Sequence, residues 1–469
     1  MADSVIDVDY LIVGAGAVGM AFADSIVTET EATIAIVDRN HRPGGHWNDA
    51  YPFVRLHQPS SYYGVNSRPL GTGAKDAVGL NAGYPELASG QEVLSHFDLV
   101  MQQQFLPSGR VHYFPMSEAS DDGTVTSLLS GARRTANARK VVDATHSQMK
   151  VPSRNAPQYA VAADVACVPL NDLPRAAGNY KSYVVVGAGK TGMDACIWLL
   201  QNGAEPDTIR WIMPRDSWLV GRANFQVGAE FFARTSQNLA DEVEALAEAD
   251  TVDDVFARLE ACDSLRRLDP EVKPEAYHCA VVSEGEVAEL RRIRNVVRLG
   301  RVTRIEVDQI VLEHGTIPTD RDCLHVDCSA AGIPGNTPKP VFDGDRITLQ
   351  WVRLCQPTFS AALIGHVEAT YDDEAEKNHL CTPISPPTVP RDWLRMMQIE
   401  LRNRLAWSAY PKLTDWQAGS RLDPFTSQLR SLIATDAEAM AHLQRYLEYV
   451  GPATKNIEQL LLNGVSAAR

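Results

Sequence analysis

Two glycine-rich turns constrain the fold of this 469-residue chain more than any other feature. The motif GxGxxG occurs at Gly14–Gly19 and again at Gly187–Gly192, each time after an apolar run and before helical sequence. In such a turn the first glycine makes the tight bend, the second lets the backbone approach a pyrophosphate, and the third lets the helix pack on the strand. The order strand, turn, helix, strand covers residues 9–38 and 183–215. These two βαβ units predict an α/β chain with two Rossmann-like dinucleotide-binding domains.

The letters GKT in the second turn also suggest an ATP-binding P-loop. The P-loop pattern GxxxxGK[ST] requires a glycine at position 184, where this chain has Val184. Val184 opens a β-branched run that is typical of a buried strand, and strand residues cannot form the loop. The sequence therefore favours a dinucleotide turn.

Residues at the end of the second strand of each unit predict which dinucleotide each turn binds. Asp38 lies 24 positions after Gly14, where a carboxylate accepts both ribose hydroxyls and repels a 2′-phosphate, which favours FAD or NAD over NADP. Arg215 takes the corresponding place in the second unit, and its guanidinium favours the 2′-phosphate of NADP, although Asp216 beside it weakens that preference. Lys190 could contact a phosphate or could be an ordinary surface lysine.

An aromatic and glycine-rich passage follows Asp38. It includes Gly44-Gly45-His46-Trp47 and the segment 51–59, and it is too elaborate for a plain crossover. We expect a flat ligand beside it. Strand-end signals occur at 141–145 and at 325–332, each a strand followed by small residues.

The order of these motifs resembles that of the flavin-containing monooxygenases, the class B flavoprotein monooxygenases. In that family a GxGxxG turn binds FAD, a GGxW segment follows the acidic residue, an ATG-like strand end comes next, and a second GxGxxG binds NADPH. The corresponding segments here are 14–19, 44–47, 143–145 and 187–192. The segment 54–59, VRLHQP, is similar to the LxLHxP passage of plant flavin monooxygenases that act on indole-pyruvate. The resemblance covers about residues 8–335.

The resemblance implies a set of site residues. His57 takes the position where other members carry Asn near the flavin, and it is the predicted catalytic residue. Arg222, in a stretch similar to the family's RxxSWxxPR, is a further phosphate candidate. The predicted cofactor-binding residues are Gly14, Gly16, Gly19, Asp38, Arg39, Gly45, His46, Trp47 and Thr145 for FAD, Gly187, Gly189, Lys190, Thr191, Gly192 and Arg215 for NADPH, and Ser360.

Ser360 belongs to a late helix. Residues 350–371 suggest a loop that enters a helix near Ser360, which is a good N-cap, and such a helix could direct its amides at a flavin carbonyl. A capped core helix remains an equal alternative.

One family feature is missing. The fingerprint FxGxxxHxxxW/Y would end at Val168, and its histidine is absent; Tyr159, Asp164 and Pro169 do not restore the pattern. Because of this departure, a flavin enzyme that does not hydroxylate a substrate remains an open alternative.

The predicted domains are an FAD-binding domain at 1–165 and 326–469, and an NADP-binding domain at 176–325 with a helical insertion at about 220–298. Helical spacing from 393 and over 436–449 predicts a helical C-terminus that packs back on the core.

Bulk properties exclude several functions. A net charge of −15 argues against a general nucleic-acid or anionic-membrane surface. No run of about eighteen apolar residues occurs, so no membrane span is predicted. Eight cysteines without a CxxC pair predict no metal site, and favour reduced thiols in a cytoplasmic protein. Oligomerisation is possible but unsupported.

The sequence therefore predicts an FAD-dependent, NADPH-reduced monooxygenase. It would transfer one atom of O2 to a small or medium organic substrate by N-, S- or C-oxygenation or a Baeyer-Villiger reaction. A flavin dehydrogenase or oxidase without hydroxylation is the first alternative. A non-catalytic nucleotide-binding regulator or carrier is the second.

Overall fold

The computed structural model describes residues 4–147, 149–330, 332, 336–432 and 435–466. The strands of this part of the chain are β1 Ser4–Val13, β2 Ile34–Val37, β3 Val111–Phe114, β4 Ser117–Ala119, β5 Thr124–Ser127, β6 Arg133–Asp143, β7 Ala160–Val161, β8 Cys167–Pro169, β9 Ser182–Val186, β10 Ile209–Ile212, β11 Ser217–Gly221, β12 Leu265–Arg266, β13 Ala276–Val282, β14 Asn295–Val297, β15 Val302–Ile305, β16 Gln309–Leu312, β17 Gly315–Pro318, β18 Cys323–Asp327, β19 Phe342–Asp343 and β20 Arg346–Thr348.

Its α-helices are α1 Ala17–Glu29, α2 Gly90–Val100, α3 Leu173–Ala176, α4 Lys190–Gln201, α5 Ala229–Glu248, α6 Val252–Ala261, α7 Glu284–Leu290, α8 Pro357–Thr370, α9 Glu374–Leu380, α10 Pro390–Ser408, α11 Pro411–Gly419, α12 Pro424–Leu432 and α13 Ala437–Ser466. None of the helices in the described ranges is long and apolar enough to cross a bilayer.

The first sheet is built around β1. Its strand order is β19-β20-β6-β1-β2-β3, and β1 pairs in parallel with both β6 and β2. Every residue of β2 is buried, as expected for a parallel strand with both faces covered. Helix α1 packs against α8, where Gly365 allows close approach because a Cβ there would lie 2.7 Å from Ser25 Cβ.

The second sheet repeats this design around β9. Its order is β14-β10-β9-β18-β8, and all neighbouring strands are parallel. Both predicted βαβ units are therefore present, with a glycine turn after β1 and another after β9. The prediction of two Rossmann-like domains is confirmed.

The predicted domain boundaries differ from the sheet assignments. The sequence assigned residues from 326 onward to the FAD domain, but Val326 and Asp327 belong to β18 of the second sheet. The sequence also began the second domain at 176, whereas β8 at 167–169 pairs with β18, and β7 at 160–161 pairs with β15 of a small separate sheet. Edge strands as short as β7 and β8 contain too few residues to show the alternation of apolar and polar residues from which a strand is predicted.

The insertion is helical, but it also contains strands. Strands β12 and β13 pair with β11 in a three-stranded sheet, and α5 packs along α13. One hydrophobic core joins insertion residues such as Phe256 to C-terminal residues such as Trp393 and Ile457. Helices α10 and α13 therefore complete the core of the insertion, whereas Trp407 at the end of α10 and Leu413 of α11 pack in the core of the first domain. We call this unit, residues 217–281 together with 390–408 and 437–463, the helical lobe.

Two of the eight cysteines are not free thiols. Cys279 and Cys355 form a disulfide with a Cα–Cα distance of 6.5 Å. The expectation of reduced thiols throughout is therefore wrong for this pair. Nothing in the sequence indicated the disulfide, because 76 positions separate the two cysteines. Cys167, Cys196, Cys262, Cys323, Cys328 and Cys381 are free.

Some predicted features lie outside the described residues. They are Ala331 of the second strand-end signal and residues 333–335 at the end of the family resemblance.

Candidate functional site

The first glycine turn has the geometry that its motif predicts. Gly14 adopts φ 108°, and a Cβ on Gly19 would collide with the carbonyl oxygen of Gly14. Gly16 is the N-cap of α1, and no side chain caps the helix amides there. The positive end of the α1 dipole is therefore available to an anion such as a pyrophosphate.

The second turn has the same construction. Gly187 adopts φ 130°, and a Cβ on Gly192 would collide with the Gly187 carbonyl, which also accepts a hydrogen bond from Trp211 Nε1 at 2.7 Å. Gly189 is the N-cap of α4, and a Cβ there would meet nothing within 4 Å. The space beside Gly189 is thus open to a ligand.

A matching pair of strand ends stands beside the two turns. Thr145 donates its hydroxyl and its N–H to Asp143 Oδ1 at 2.7 and 2.8 Å. Ser329 does the same with Asp327 Oδ1, at 2.6 and 3.1 Å. The two halves therefore share a D-x-[ST] end that fixes the chain next to the first glycine. The sequence singled out Thr145 and missed the role of Ser329.

Asp38 lies at the end of β2, beside the first turn. Its Oδ2 accepts from the Ala15 N–H at 2.6 Å, and its Oδ1 accepts from the Asn40 N–H at 2.7 Å. Burial raises the pKa of Asp38, and these two backbone donors oppose that rise. Each carboxylate oxygen still has a lone pair for a ribose hydroxyl. Arg39 next to it is exposed and pairs with Glu118 at 2.8 Å.

The GGHW segment packs on the first turn. A Cβ on Gly45 would lie 2.9 Å from Gly16 Cα, so only glycine allows this approach. His46 follows, and burial lowers its pKa to about 4. The buried Trp47 donates its Nε1–H to Tyr63 Oη at 2.8 Å. Trp47 is therefore anchored in the core of the first domain.

A group of charged and polar residues lies where the two domains meet. We call it the interdomain cluster, and it consists of Tyr51, His57, Lys190, Asp194, Arg222 and Glu286.

Asp194 links the second turn to the first domain. The Tyr51 hydroxyl donates to Asp194 Oδ2 at 2.5 Å, and Lys190 donates to Asp194 Oδ1. Lys190 Nζ also lies 3.7 Å from Glu286 Oε1. Two carboxylates therefore engage Lys190, and the structure does not support it as a phosphate contact.

Arg222 is fully buried in the same cluster. It donates to Glu286 Oε2 at 2.8 Å and to the His57 carbonyl at 2.9 Å. Burial opposes ionisation of Glu286, but Lys190 and Arg222 lower its pKa to about 2. The prediction of Arg222 as a phosphate contact is wrong, because its guanidinium is enclosed and already paired.

The predicted catalytic residue, His57, belongs to this cluster. Burial, together with the charges of Lys190 and Arg222, lowers the pKa of His57 to about 3. Its buried Nδ1 has no hydrogen-bond partner in the described part of the chain. His57 is therefore a neutral imidazole at the domain boundary whose Nδ1 is buried and unpaired among the described residues.

The lowered pKa of His57 predicts a loss of stability in acid. The unfolded chain takes up a proton on this residue as the pH falls through about 6.5, while the folded chain does not until about pH 3. Between pH 6.5 and 5 we expect the wild type to lose about 1.5–2 kcal/mol more unfolding free energy than His57→Gln. Urea titrations at both pH values measure this difference. A His379→Gln variant, which changes an exposed histidine, should follow the wild type; a His57→Gln profile that also follows it would contradict the prediction.

Arg215 is exposed just after β10 and forms no ion pair among the described residues. Its neighbour Asp216 is buried and receives two hydrogen bonds from Arg298, at 2.7 and 3.0 Å. Arg298 thus neutralises the Asp216 carboxylate, which had weakened the prediction that Arg215 binds a 2′-phosphate. Thr191 is half-buried in the first turn of α4.

Ser360 does not cap a helix. Helix α8 begins at Pro357 with Gln356 as its N-cap, four residues before the predicted cap, so a loop does enter a helix here while the capping role of Ser360 is wrong. The Ser360 hydroxyl accepts from the N–H groups of Val352 and Arg353, each at 3.2 Å, and donates to the Gln356 carbonyl at 2.8 Å. It fastens the entry loop of α8 and has no capacity left for a cofactor.

Sequence reasoning missed Tyr51, Asp194 and Glu286. Asp194 follows Lys190 by four positions on a helix, which is a usable ion-pair signal. Ser283 and Glu286 form a capping box, a pattern that could have indicated the start of α7 but not the charge partner of Glu286. Tyr51 belongs to the aromatic segment 51–59 that the sequence singled out, but nothing in the sequence pointed to its hydrogen bond with Asp194. No group of three or more His, Cys, Asp or Glu positioned to hold a metal occurs among the residues that the structure describes.

Comparisons with known proteins agree with this architecture. The sequence model of the NAD(P)-binding Rossmann-like domain matches residues 12–62, which contain the first turn, Asp38 and His57. "Uncharacterized protein Rv2000" of Mycobacterium tuberculosis (strain ATCC 25618 / H37Rv) and "Uncharacterized protein Mb2023" of Mycobacterium bovis are each 48% identical to this chain over 456 residues. Each alignment covers 97% of this chain and 85% of the relative. This chain belongs to their family.

A similar solved structure extends the comparison to the fold of both domains. It is the cyclohexanone-bound crystal structure of cyclohexanone monooxygenase in the Rotated conformation, 12% identical, with a TM-score of 0.50 over 92% of this chain and 98% of that chain. At this identity the likeness concerns the fold alone. It confirms the fold that the motif order led us to expect.

Proposed function

We propose that this chain is an FAD-dependent monooxygenase that is reduced by NADPH and transfers one oxygen atom from O2 to a small or medium organic substrate. The observation that carries the proposal is the pair of glycine turns with the same GxGxxG spacing, each followed by a strand after which comes a residue of opposite charge, Asp38 in one unit and Arg215 in the other. Asp38 suits the free ribose of FAD, and the unpaired Arg215 suits the 2′-phosphate of NADPH.

The residues present fit both cofactors. The amides at the starts of α1 and α4 have no side-chain caps, the space beside Gly189 is open, and Asp38 keeps two acceptor sites. The described residues thus provide backbone amides that can bind the pyrophosphates of two dinucleotides, and side chains that can bind their riboses. We assign FAD to the domain of the first sheet and NADPH to the domain of the second.

Bound FAD would supply the redox chemistry, taking electrons from NADPH and passing them to O2. The chain's own residues bind, orient and exclude water. The amides of α1 and α4 hold the pyrophosphates, and Asp38 and Arg215 fix the two riboses. The hydrogen bond from Tyr51 to Asp194 joins a loop of the first domain to α4. It therefore helps to fix the position of the second turn relative to the first domain.

We propose His57 as the catalytic residue at this boundary. Because its imidazole stays neutral at physiological pH, its free Nδ1 can make a hydrogen bond to a reacting group without introducing a charge. The surrounding cluster has two cations and two carboxylates that neutralise one another. A neutral organic substrate is compatible with this balance.

A flavin dehydrogenase or oxidase is the second candidate. The observation in its favour is the missing fingerprint histidine in the segment that here forms β7 and β8. Nothing in that segment replaces the histidine at the expected position.

Two measurements distinguish these functions. Purified protein should show flavin absorbance that bleaches when NADPH is added without oxygen. Admission of 18O-labelled O2 in the presence of amines, sulfides or cyclic ketones should then place one labelled atom in a product. Label found only in hydrogen peroxide would favour the oxidase, and a colourless protein that takes up no FAD would overturn both enzyme functions.

A further inference from the structure

The disulfide joins two unusual points of the backbone. Strand β13 pairs with β11 through Trp218–Tyr277 and then Val220–Val281, so Leu219 alone faces residues 278–280. Cys279 lies in the middle of this bulge. Cys355 lies directly before Gln356, the N-cap of α8.

Both cysteines have a left-handed backbone. The described non-glycine residues with positive φ are Met116, Asp263, Cys279 at 51° and Cys355 at 50°. Residues with a side chain rarely adopt this conformation, and they keep it only where the surrounding structure imposes it. Half of these strained positions thus belong to a single covalent link.

The link connects β13 of the helical lobe to the loop that enters α8. On one side, β13 pairs with β11, which begins two residues after Arg215. On the other side, Ser360 fastens the loop before α8, and this loop already contacts the lobe, because the Leu354 N–H donates to Glu400 Oε2 of α10 at 2.8 Å. The disulfide therefore adds a covalent tie to the noncovalent contacts between the helical lobe and the start of α8.

We propose that Cys279 and Cys355 are a reversible thiol–disulfide couple, a redox modification site that locks the helical lobe to the entry of α8 when oxidised. Two features favour a reversible couple over a permanent staple. The six other cysteines are free thiols, unlike those of a disulfide-stabilised scaffold, and backbone strain at both ends favours opening. Cys355 is partly exposed, so a small reagent can reach it, whereas Cys279 is buried.

The oxidation is a two-electron exchange with a low-molecular-weight disulfide. The Cys355 thiolate attacks one sulfur of the reagent, forms a mixed disulfide and releases one thiol. The Cys279 thiolate then attacks the Cys355 sulfur and releases the second thiol. The protein pair loses two protons and two electrons, and the reagent is reduced to two thiols. An external dithiol reverses both steps.

Thiol counting under denaturing conditions tests the couple on the full chain. After dithiothreitol treatment and removal of the reagent, all eight cysteines should react; after treatment of the folded protein with oxidised glutathione, six should react. Peptide mapping should find Cys279 joined to Cys355. Eight reactive thiols after oxidation, or a different linked pair such as Cys196 with Cys328, would overturn the proposal.

Two variants provide matched controls. Cys355→Gly should fold, because glycine adopts φ 50° without strain, and it should show the same thiol count in both treatments. Cys262→Ser removes a partly buried free thiol of the same lobe and should lose two thiols on oxidation, as the wild type does.

Hydrogen exchange tests the lock itself. Oxidation should slow amide exchange in residues 276–282 and 351–357 by roughly tenfold or more in the wild type, and not in Cys355→Gly. Equal exchange rates in the two redox states of the wild type would show that the bond forms without locking the lobe, and would overturn that part of the proposal. Neither measurement depends on FAD or NADPH.

Discussion

Replacing Arg222 with alanine is expected to lower the free energy of unfolding by about 3–5 kcal/mol. The guanidinium is completely buried and holds the Glu286 carboxylate together with the carbonyls of His57 and Val281. Its loss leaves the buried Glu286 carboxylate with Lys190, at 3.7 Å, as its one nearby cation in the described part of the chain, and removes the donor from two carbonyls. Urea unfolding followed by circular dichroism at pH 7.5 measures the change.

Two further variants separate burial from charge in this prediction. Arg258→Ala removes an arginine whose partners Glu248 and Asp254 are partly exposed, and it should cost no more than about 1 kcal/mol. Arg222→Met combined with Glu286→Leu removes both buried charges, so it should be less destabilising than Arg222→Ala alone. Equal losses for Arg222→Ala and Arg258→Ala would show that the cluster is not the buried ionic contact described here.

Arg215→Ala should change coenzyme preference. If Arg215 binds the 2′-phosphate, its removal costs a charge-assisted interaction of about 1.5–3 kcal/mol, which raises KM for NADPH roughly ten- to a hundredfold. NADH lacks this phosphate, so its KM should hardly change. Steady-state oxidation of both coenzymes provides the measurement.

The control for this prediction is Arg292→Ala, which removes a half-exposed arginine of the same domain that pairs with Glu289. We expect it to leave both coenzymes unaffected. Equal loss with NADPH and NADH in Arg215→Ala would remove the assignment of Arg215 to the phosphate.

The local motifs were readable in the sequence because each depends on a few neighbouring residues. Gly14 and Gly19, or Gly187 and Gly192, contact each other across one turn, so their spacing alone predicts the bend. The α/β fold with two Rossmann-like domains followed from repeating that unit.

The interdomain cluster could not be read in the same way. Lys190 looked like a phosphate contact because the spacing to Asp194 indicates one ion pair at most, and the sequence does not show that Glu286 also lies near Lys190 in space. Ser360 looked like a cap because its neighbours fit a helix start, while its true partners, Val352 and Arg353, lie in the preceding loop. The Cys279–Cys355 pair depends on tertiary contact between distant segments, and no spacing rule reports such a contact.

The packing of α5 against α13 also bears on how the protein is made. Asn456 donates to the carbonyls of Leu246 and Ala249 at 2.9 and 2.7 Å, so the end of α5 is satisfied by a residue far later in the chain. During synthesis, α5 leaves the ribosome long before its covering helix, and its apolar face stays exposed in the interval. The two sheets can form first, but the helical lobe must wait for α13. Chaperone binding during translation should therefore concentrate on the segment around α5.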